Sequence, residues 1–126
     1  MSFIITADDD PVFRGLLTRT LEDAGHIVGA LADGRSAIAA INLKRPDLAI
    51  LDMGMPGLSG VDAALQIRMT GRDNALPLIM LTARTSIKDA DIAYRAGADD
   101  VLSKPLDPDL LLACVDRQLN GRKRAY

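Results

Sequence analysis

Residues 48–60 read Leu-Ala-Ile-Leu-Asp-Met-Gly-Met-Pro-Gly-Leu-Ser-Gly: four apolar residues, one aspartate, then a loop with three glycines and a proline. An apolar run without polar alternation is the pattern of a strand buried on both faces. Such a strand belongs in a parallel sheet with crossover helices on either side. Residues 48–51 are therefore predicted as a strand that delivers Asp52 at its carboxyl end, before a loop that leaves the carboxylate open.

The rest of the chain repeats this plan. Further strands are expected at residues 3–7, 26–31, 76–81 and 100–102, with Pro77 tolerable at a strand start. Helices are expected between them. The first is capped by Asp10, carries Pro11 in its first turn, presents Val12, Leu16, Leu17, Thr20 and Leu21 on one face, and stops at Gly25. The others span residues 36–43, after a turn at Asp33-Gly34, about 61–69, 86–96 closed by Gly97, and 106–119 with Asp107 as cap. Five strands alternating with five helices give a doubly wound α/β sandwich of three layers, a parallel sheet between two sets of helices. Residues 1–120 form one domain, and residues 121–126 read as a basic tail or the start of a linker.

Composition narrows the chemistry. The chain has 126 residues, 48% hydrophobic and 25% charged, with a net charge of −2, which suits one globular domain and no nucleic-acid footprint. One cysteine (Cys114) and one histidine (His26) cannot build a Cys/His metal site, so any metal is held by oxygen. No run approaches the length of a membrane span and no leader pattern follows Met1, so a soluble, cytoplasmic protein without membrane contact is expected. His26 reads as a strand-edge residue, Cys114 as a small buried hydrophobe, and Asp10 and Asp33 as a cap and a turn residue.

In open parallel sheets the site lies beyond the carboxyl ends of the strands. Those ends carry Asp8 and Asp9, then Asp52, Thr82 and Lys104. Three carboxylates at one edge repel each other and call for a hard cation, with Mg²⁺ the best candidate. Carboxylates, cation, hydroxyl and ammonium together match the needs of phosphoryl transfer, with Asp52 as the nucleophile.

On these residues the chain resembles the receiver domains of two-component response regulators. Ala7-Asp8-Asp9-Asp10-Pro11, Leu51-Asp52 with its glycine-rich loop, Thr82-Ala83 and Lys104-Pro105 stand in the family's order, each at a strand end. The resemblance implies a flavodoxin-like strand order 2-1-3-4-5. It implies that Asp52 is the phosphoacceptor, and that Asp9, Asp52 and the Gly54 carbonyl hold Mg²⁺, with Asp8 acting through water. Thr82 and Lys104 would contact the phosphoryl group, and the Lys104-Pro105 bond would be cis. The partner would be a histidine kinase or histidine phosphotransfer protein. The output would be a shifted surface of the fourth helix, fifth strand and fifth helix, on a monomer or a weak phosphorylation-dependent dimer. The domain would not be an enzyme beyond its own phosphorylation and dephosphorylation. The family's aromatic residue in the fifth strand is replaced by Val101, and Arg84 beside the site is expected to be solvated.

Four other readings fit less well. A flavodoxin needs a Ser/Thr/Gly-rich first loop for flavin phosphate, where this chain has Asp8-Asp9-Asp10. An aspartate-nucleophile phosphatase carries its nucleophile on the first strand and a cap over the substrate. An unphosphorylated interaction module has no need of the intact acid triad, Thr82 and Lys104. A winged-helix DNA-binding regulator is disfavoured because residues 110–115 offer no basic partner for a charged face of Arg95, Asp99 and Asp100.

Overall fold

The computed structural model describes residues 1–70, 75–83 and 87–123. The strands are β1 (Phe3–Ala7), β2 (Ile27–Leu31), β3 (Leu48–Asp52), β4 (Leu78–Thr82) and β5 (Asp100–Ser103). The helices are α1 (Pro11–Asp23), α2 (Gly34–Leu43), α3 (Gly60–Met69), α4 (Ile87–Ala96) and α5 (Pro108–Lys123). All pairings are parallel, in the order β2-β1-β3-β4-β5. This is the expected flavodoxin-like doubly wound sheet. The readings for Arg84, for Ser86 as a helix start and for tail residues 124–126 lie outside the described residues.

Alternation along the strands builds two cores. Ile5, Ala7, Ala49, Leu51, Leu78 and Met80 face α2, α3 and α4, meeting Ala37, Ile41, Ala63, Ala64, Ile67 and Ala93. Ile4, Leu48, Ile50, Ile79 and Leu81 face α1 and α5, meeting Leu17, Leu21, Leu111, Cys114 and Val115. Every residue of β3 and β4 is buried, which is why their sequences do not alternate in polarity.

Several boundaries differ from expectation for identifiable reasons. The His26 N–H turns back to the Leu21 carbonyl (3.1 Å), so β2 begins at Ile27. Asp33 is a helix cap as well as a turn residue: it accepts from the Ser36 N–H (2.8 Å) and hydroxyl (3.0 Å), so α2 starts at Gly34. Pro77 has no N–H to give the ladder, and β4 begins at Leu78. α5 runs on to Lys123 rather than ending at residue 119. Of the expected inward face of α1, Leu17 and Leu21 are buried, whereas Val12 and Leu16 are exposed; half-buried Phe13 takes the first place of an i, i+4, i+8 stripe with Leu17 and Leu21.

At the lower edge of the sheet one side chain ties three elements. Arg68, at the end of α3, donates from Nη1 to the Leu76 carbonyl (2.7 Å) and from Nε and Nη2 to the Gly97 carbonyl (3.1 and 2.7 Å). Its Nη2 also meets Asp99 Oδ2 (3.1 Å), which in turn accepts the Leu78 N–H (2.8 Å). Gly97 has φ 115°, and a Cβ there would lie 2.6 Å from Arg68 Cγ, so both the conformation and the space require glycine.

Candidate functional site

At the upper edge β1, β3, β4 and β5 deliver the chemistry. Asp8 and Asp9 follow β1, Asp52 and Thr82 end β3 and β4, and Lys104 follows β5. Main-chain bonds fix these ends: Asp8 N–H to Leu31 O (3.1 Å), Met53 N–H to Leu81 O (2.9 Å) and Lys104 N–H to Thr82 O (2.8 Å). The Lys104–Pro105 peptide is cis, as expected. α3 comes in so close behind Asp52 that a Cβ on Gly60 would collide with the Asp52 carbonyl oxygen. Glycine at 60 is thus the condition for seating α3 under the loop.

Ligand atoms of Asp8, Asp9 and Asp52 all lie within 4.8 Å of one another. Asp8 is fully buried, and both of its oxygens are engaged. Oδ1 accepts the Asp10 N–H (2.9 Å), and Oδ2 faces Lys104 Nζ at 2.8 Å as an ion pair with no other donor. Asp52 is nearly buried; its Oδ1 accepts the Gly54 N–H (3.3 Å) and its Oδ2 is 3.6 Å from Lys104 Nζ. Asp9 is exposed. Three clustered carboxylate oxygens, with one exposed acid and one whose contacts leave it half-neutralised, form a donor set that fits a hard divalent cation. The three acids could hold a metal.

The electrostatics favour a reactive Asp52. Burial is the largest influence and pushes its carboxyl above the usual range; Asp8 pushes the same way, against the Gly54 N–H and Lys104. A more basic carboxylate is the better nucleophile. Burial pulls Lys104 down, but its pairs with Asp8 and Asp52 outweigh that and raise it, so it stays an ammonium.

The sequence reading placed Asp8, Asp9, Asp52, Thr82 and Lys104 correctly at one edge, with Thr82 buried and Gly54 in the adjoining loop. His26 is a strand-edge residue whose Nδ1 accepts the Ser2 N–H (3.3 Å). Asp10 caps α1 through Val12 N–H (3.0 Å). Cys114 is buried as expected, yet polar: its thiol donates to Asp100 Oδ2 (3.0 Å), and burial followed by that acid pushes it up to about 12. Val101 is half-buried against the α2–α4 core.

Three residues were missed. Phe13 places its ring 4.3 Å from Lys104 Nζ, and its spacing four before Leu17 was the available signal. Arg68 gave no local signal. Arg117 on α5 pairs with Asp100, beyond the residues searched for a basic partner, while Arg95 pairs with Asp91 (2.9 Å) and Asp99 with Arg68. The argument against a DNA-binding regulator is thereby weakened, because a basic residue stands on α5 two positions beyond residues 110–115.

A profile of the family described as response regulator receiver domain matches residues 4–116. The "DNA-binding response regulator MtrA" of Mycolicibacterium smegmatis is 37% identical over 116 residues, covering 92% of this chain and 50% of that protein. "Response regulator MprA" of Mycolicibacterium vanbaalenii is 43% identical over 110 residues, covering 87% and 47%. The chain thus spans about half the length of these curated relatives. Among solved structures, the chemotaxis protein CheY4 of Vibrio cholerae superposes with a TM-score of 0.89 at 34% identity, covering 94% of this chain and 99% of that one. The signal receiver domain of a signal transduction histidine kinase from Syntrophus aciditrophicus gives 0.91 at 30%, covering 100% and 96%.

Proposed function

This chain belongs to the response regulator receiver domain family, a signalling domain of two-component systems, and we propose that Asp52 is its phosphoacceptor. The observation that carries this reading is the cluster of Asp8, Asp9 and Asp52 at one sheet edge, with Asp8 and Asp52 both facing the Lys104 ammonium. An Asp52 oxygen attacks the phosphorus of a phosphohistidine on a histidine kinase or phosphotransfer protein. The new P–O bond forms as the P–N bond breaks, and the imidazole leaves as the electron pair's acceptor. Asp9, Asp52 and the Gly54 carbonyl would hold Mg²⁺, with Asp8 acting through water. The metal supplies neutralisation of the phosphoryl oxygens. Lys104 pairs with the arriving phosphoryl group and Thr82 donates its hydroxyl to it. The only reactions the domain would catalyse are its own phosphorylation and dephosphorylation.

The output surface is that of α4, β5 and α5, where Ile92, Tyr94 and Leu110 are exposed. With Val101 in place of an aromatic ring, the response is carried by Thr82 and the main chain after it. Among the described residues no helix is long and apolar enough to cross a membrane, and a cytoplasmic setting suits a kinase-fed domain. The relatives named as DNA-binding regulators make a DNA-binding output elsewhere in the same protein the reading to test first. Incubation with acetyl phosphate and Mg²⁺ should add one phosphoryl mass to Asp52, and Asp52→Asn should abolish it. Labelling that survives Asp52→Asn overturns the assignment. Beryllofluoride should shift the backbone signals of Thr82, Ala83 and α4 while Val101 keeps one χ1 rotamer.

A further inference from the structure

Lys104 has a third neighbour besides its two carboxylates. Its Nζ lies 4.3 Å from the centroid of the Phe13 ring, 2.8 Å from Asp8 Oδ2 and 3.6 Å from Asp52 Oδ2. We propose that the Phe13 ring is a positioning group for the Lys104 ammonium, holding it over Asp52 before and after phosphoryl transfer. The inference rests on Asp52 being the phosphoacceptor.

The backbone of residue 13 is tied to the carboxylate that holds the ammonium. Asp8 takes Lys104 on Oδ2 and the Asp10 N–H on Oδ1 (2.9 Å). Asp10 in turn caps α1 and accepts the Phe13 N–H (3.5 Å). The ring itself is restrained by packing against the α1/α5 core.

The chemistry explains why a ring is useful there. Lys104 is only 21% exposed, so water cannot fully solvate its charge. A carboxylate partner holds an ammonium at one point and competes with an incoming phosphoryl group for it. An aromatic face attracts a cation through its quadrupole over a broad area and brings no charge of its own. When the phosphoryl group draws Lys104 away from Asp8, the ammonium slides across the ring and keeps that part of its stabilisation. A leucine at 13 fills much of the volume and offers none of the attraction.

The test uses the whole chain with phenylalanine, 4-fluoro- or 3,4,5-trifluorophenylalanine, tyrosine or leucine at position 13. Two quantities are read: the Lys104 ε-methylene NMR shift without phosphodonor, and the rate of phosphorylation by acetyl phosphate with Mg²⁺. Lys104 should show an upfield ring-current shift in the parent and lose it in Phe13→Leu. Exposed Lys44, over the Phe3 ring at 5.0 Å, serves as an unaltered reference. The rate should fall about three- to tenfold in Phe13→Leu, fall stepwise with fluorination, and be largely retained in Phe13→Tyr. Folded Phe13→Leu and trifluorinated proteins that phosphorylate at the parent rate overturn the proposal. A rate that falls in leucine but is flat across the fluorinated rings overturns it too, since packing alone then accounts for the loss. A parent chain that takes up no phosphate overturns the Asp52 reading itself, and is told apart by appearing before any substitution is made.

Discussion

The two edges of the sheet are built from the same ingredients and put to opposite use. At the lower edge Arg68 meets one carboxylate and two carbonyls, and Asp99 accepts from both Arg68 and the Leu78 N–H. Among the described residues, each of these acceptors has a donor. At the upper edge three carboxylates crowd one ammonium, and Asp52 is left more basic than its usual value. A planar guanidinium with five donors suits the first task, and a point charge on a mobile stem suits the second. Matched polar groups stabilise a fold, whereas an excess of one charge sign stores a cost that a ligand can relieve.

The sharpest way to break this contrast is to remove each cation. Lys104→Gln should cut phosphorylation by acetyl phosphate by about a hundredfold, the scale of losing one charge-stabilising donor. It should also lower stability in urea, because the fully buried Asp8 loses its countercharge. Arg68→Leu should cost about 1–2 kcal/mol in urea unfolding, because the Leu76 and Gly97 carbonyls lose their donor. Its folded fraction should phosphorylate within about twofold of the parent. If both variants lose both properties, the division of labour between the edges is wrong.

A smaller effect has the opposite sign. Asp52→Asn should stabilise the chain by about 1 kcal/mol in urea without added metal, since it removes a charge whose burial is unfavourable. Saturating Mg²⁺ should narrow that advantage by stabilising the parent. A destabilised Asp52→Asn variant would contradict the strained upper edge.

The smallest effects are in pH. Asp52 is raised in the fold, so its ionised form is penalised, and the penalty grows as pH rises through the raised value. The advantage of Asp52→Asn should therefore be largest near pH 7 and vanish towards about pH 4. Asp100 behaves conversely. Burial alone would raise it, but hydrogen bonds from Cys114, Arg117 and Gln118 hold it below the usual carboxylate range. Its contribution is present above the unfolded value and lost as pH falls through the folded one. Asp100→Asn should accordingly lose under about 1 kcal/mol near neutrality, after allowing for the water around Arg117, and match the parent in acid. Equilibrium urea titrations from pH 3 to 8 distinguish the two signs. With its thiol at about 12, Cys114 should react with a disulfide reagent at pH 8 only as fast as the chain opens.

What was legible in the sequence was whatever one strand or helix decides by itself. Apolar runs located β1 to β5, and their ends located Asp8, Asp52, Thr82 and Lys104. The misreadings came where two elements decide together. Val12 and Leu16 are as apolar as Phe13 and Leu17, and only the position of the sheet tells which stripe of α1 turns inward. Arg68 answers to residues 76, 97 and 99, which share no pattern with it along the chain. Pro77 was tolerated in the reading, but its missing N–H delays the ladder to Leu78. Arg117 stands two positions past residues 110–115, and only the fold brings it to Asp100.

The crossover connectivity has a consequence for the life of the chain in the cell. Asp8 and Asp52 follow or end β1 and β3, while Lys104 follows β5, the edge strand that comes last in the sequence. During synthesis all three acids leave the ribosome well before the lysine that balances them. A copy cut short before β5 keeps its acids and has no ammonium at residue 104 to offset them. The site is thus complete only in a chain whose last strand has docked beside β4. Competence to carry phosphate doubles as a proof that synthesis passed β5 and that this strand docked.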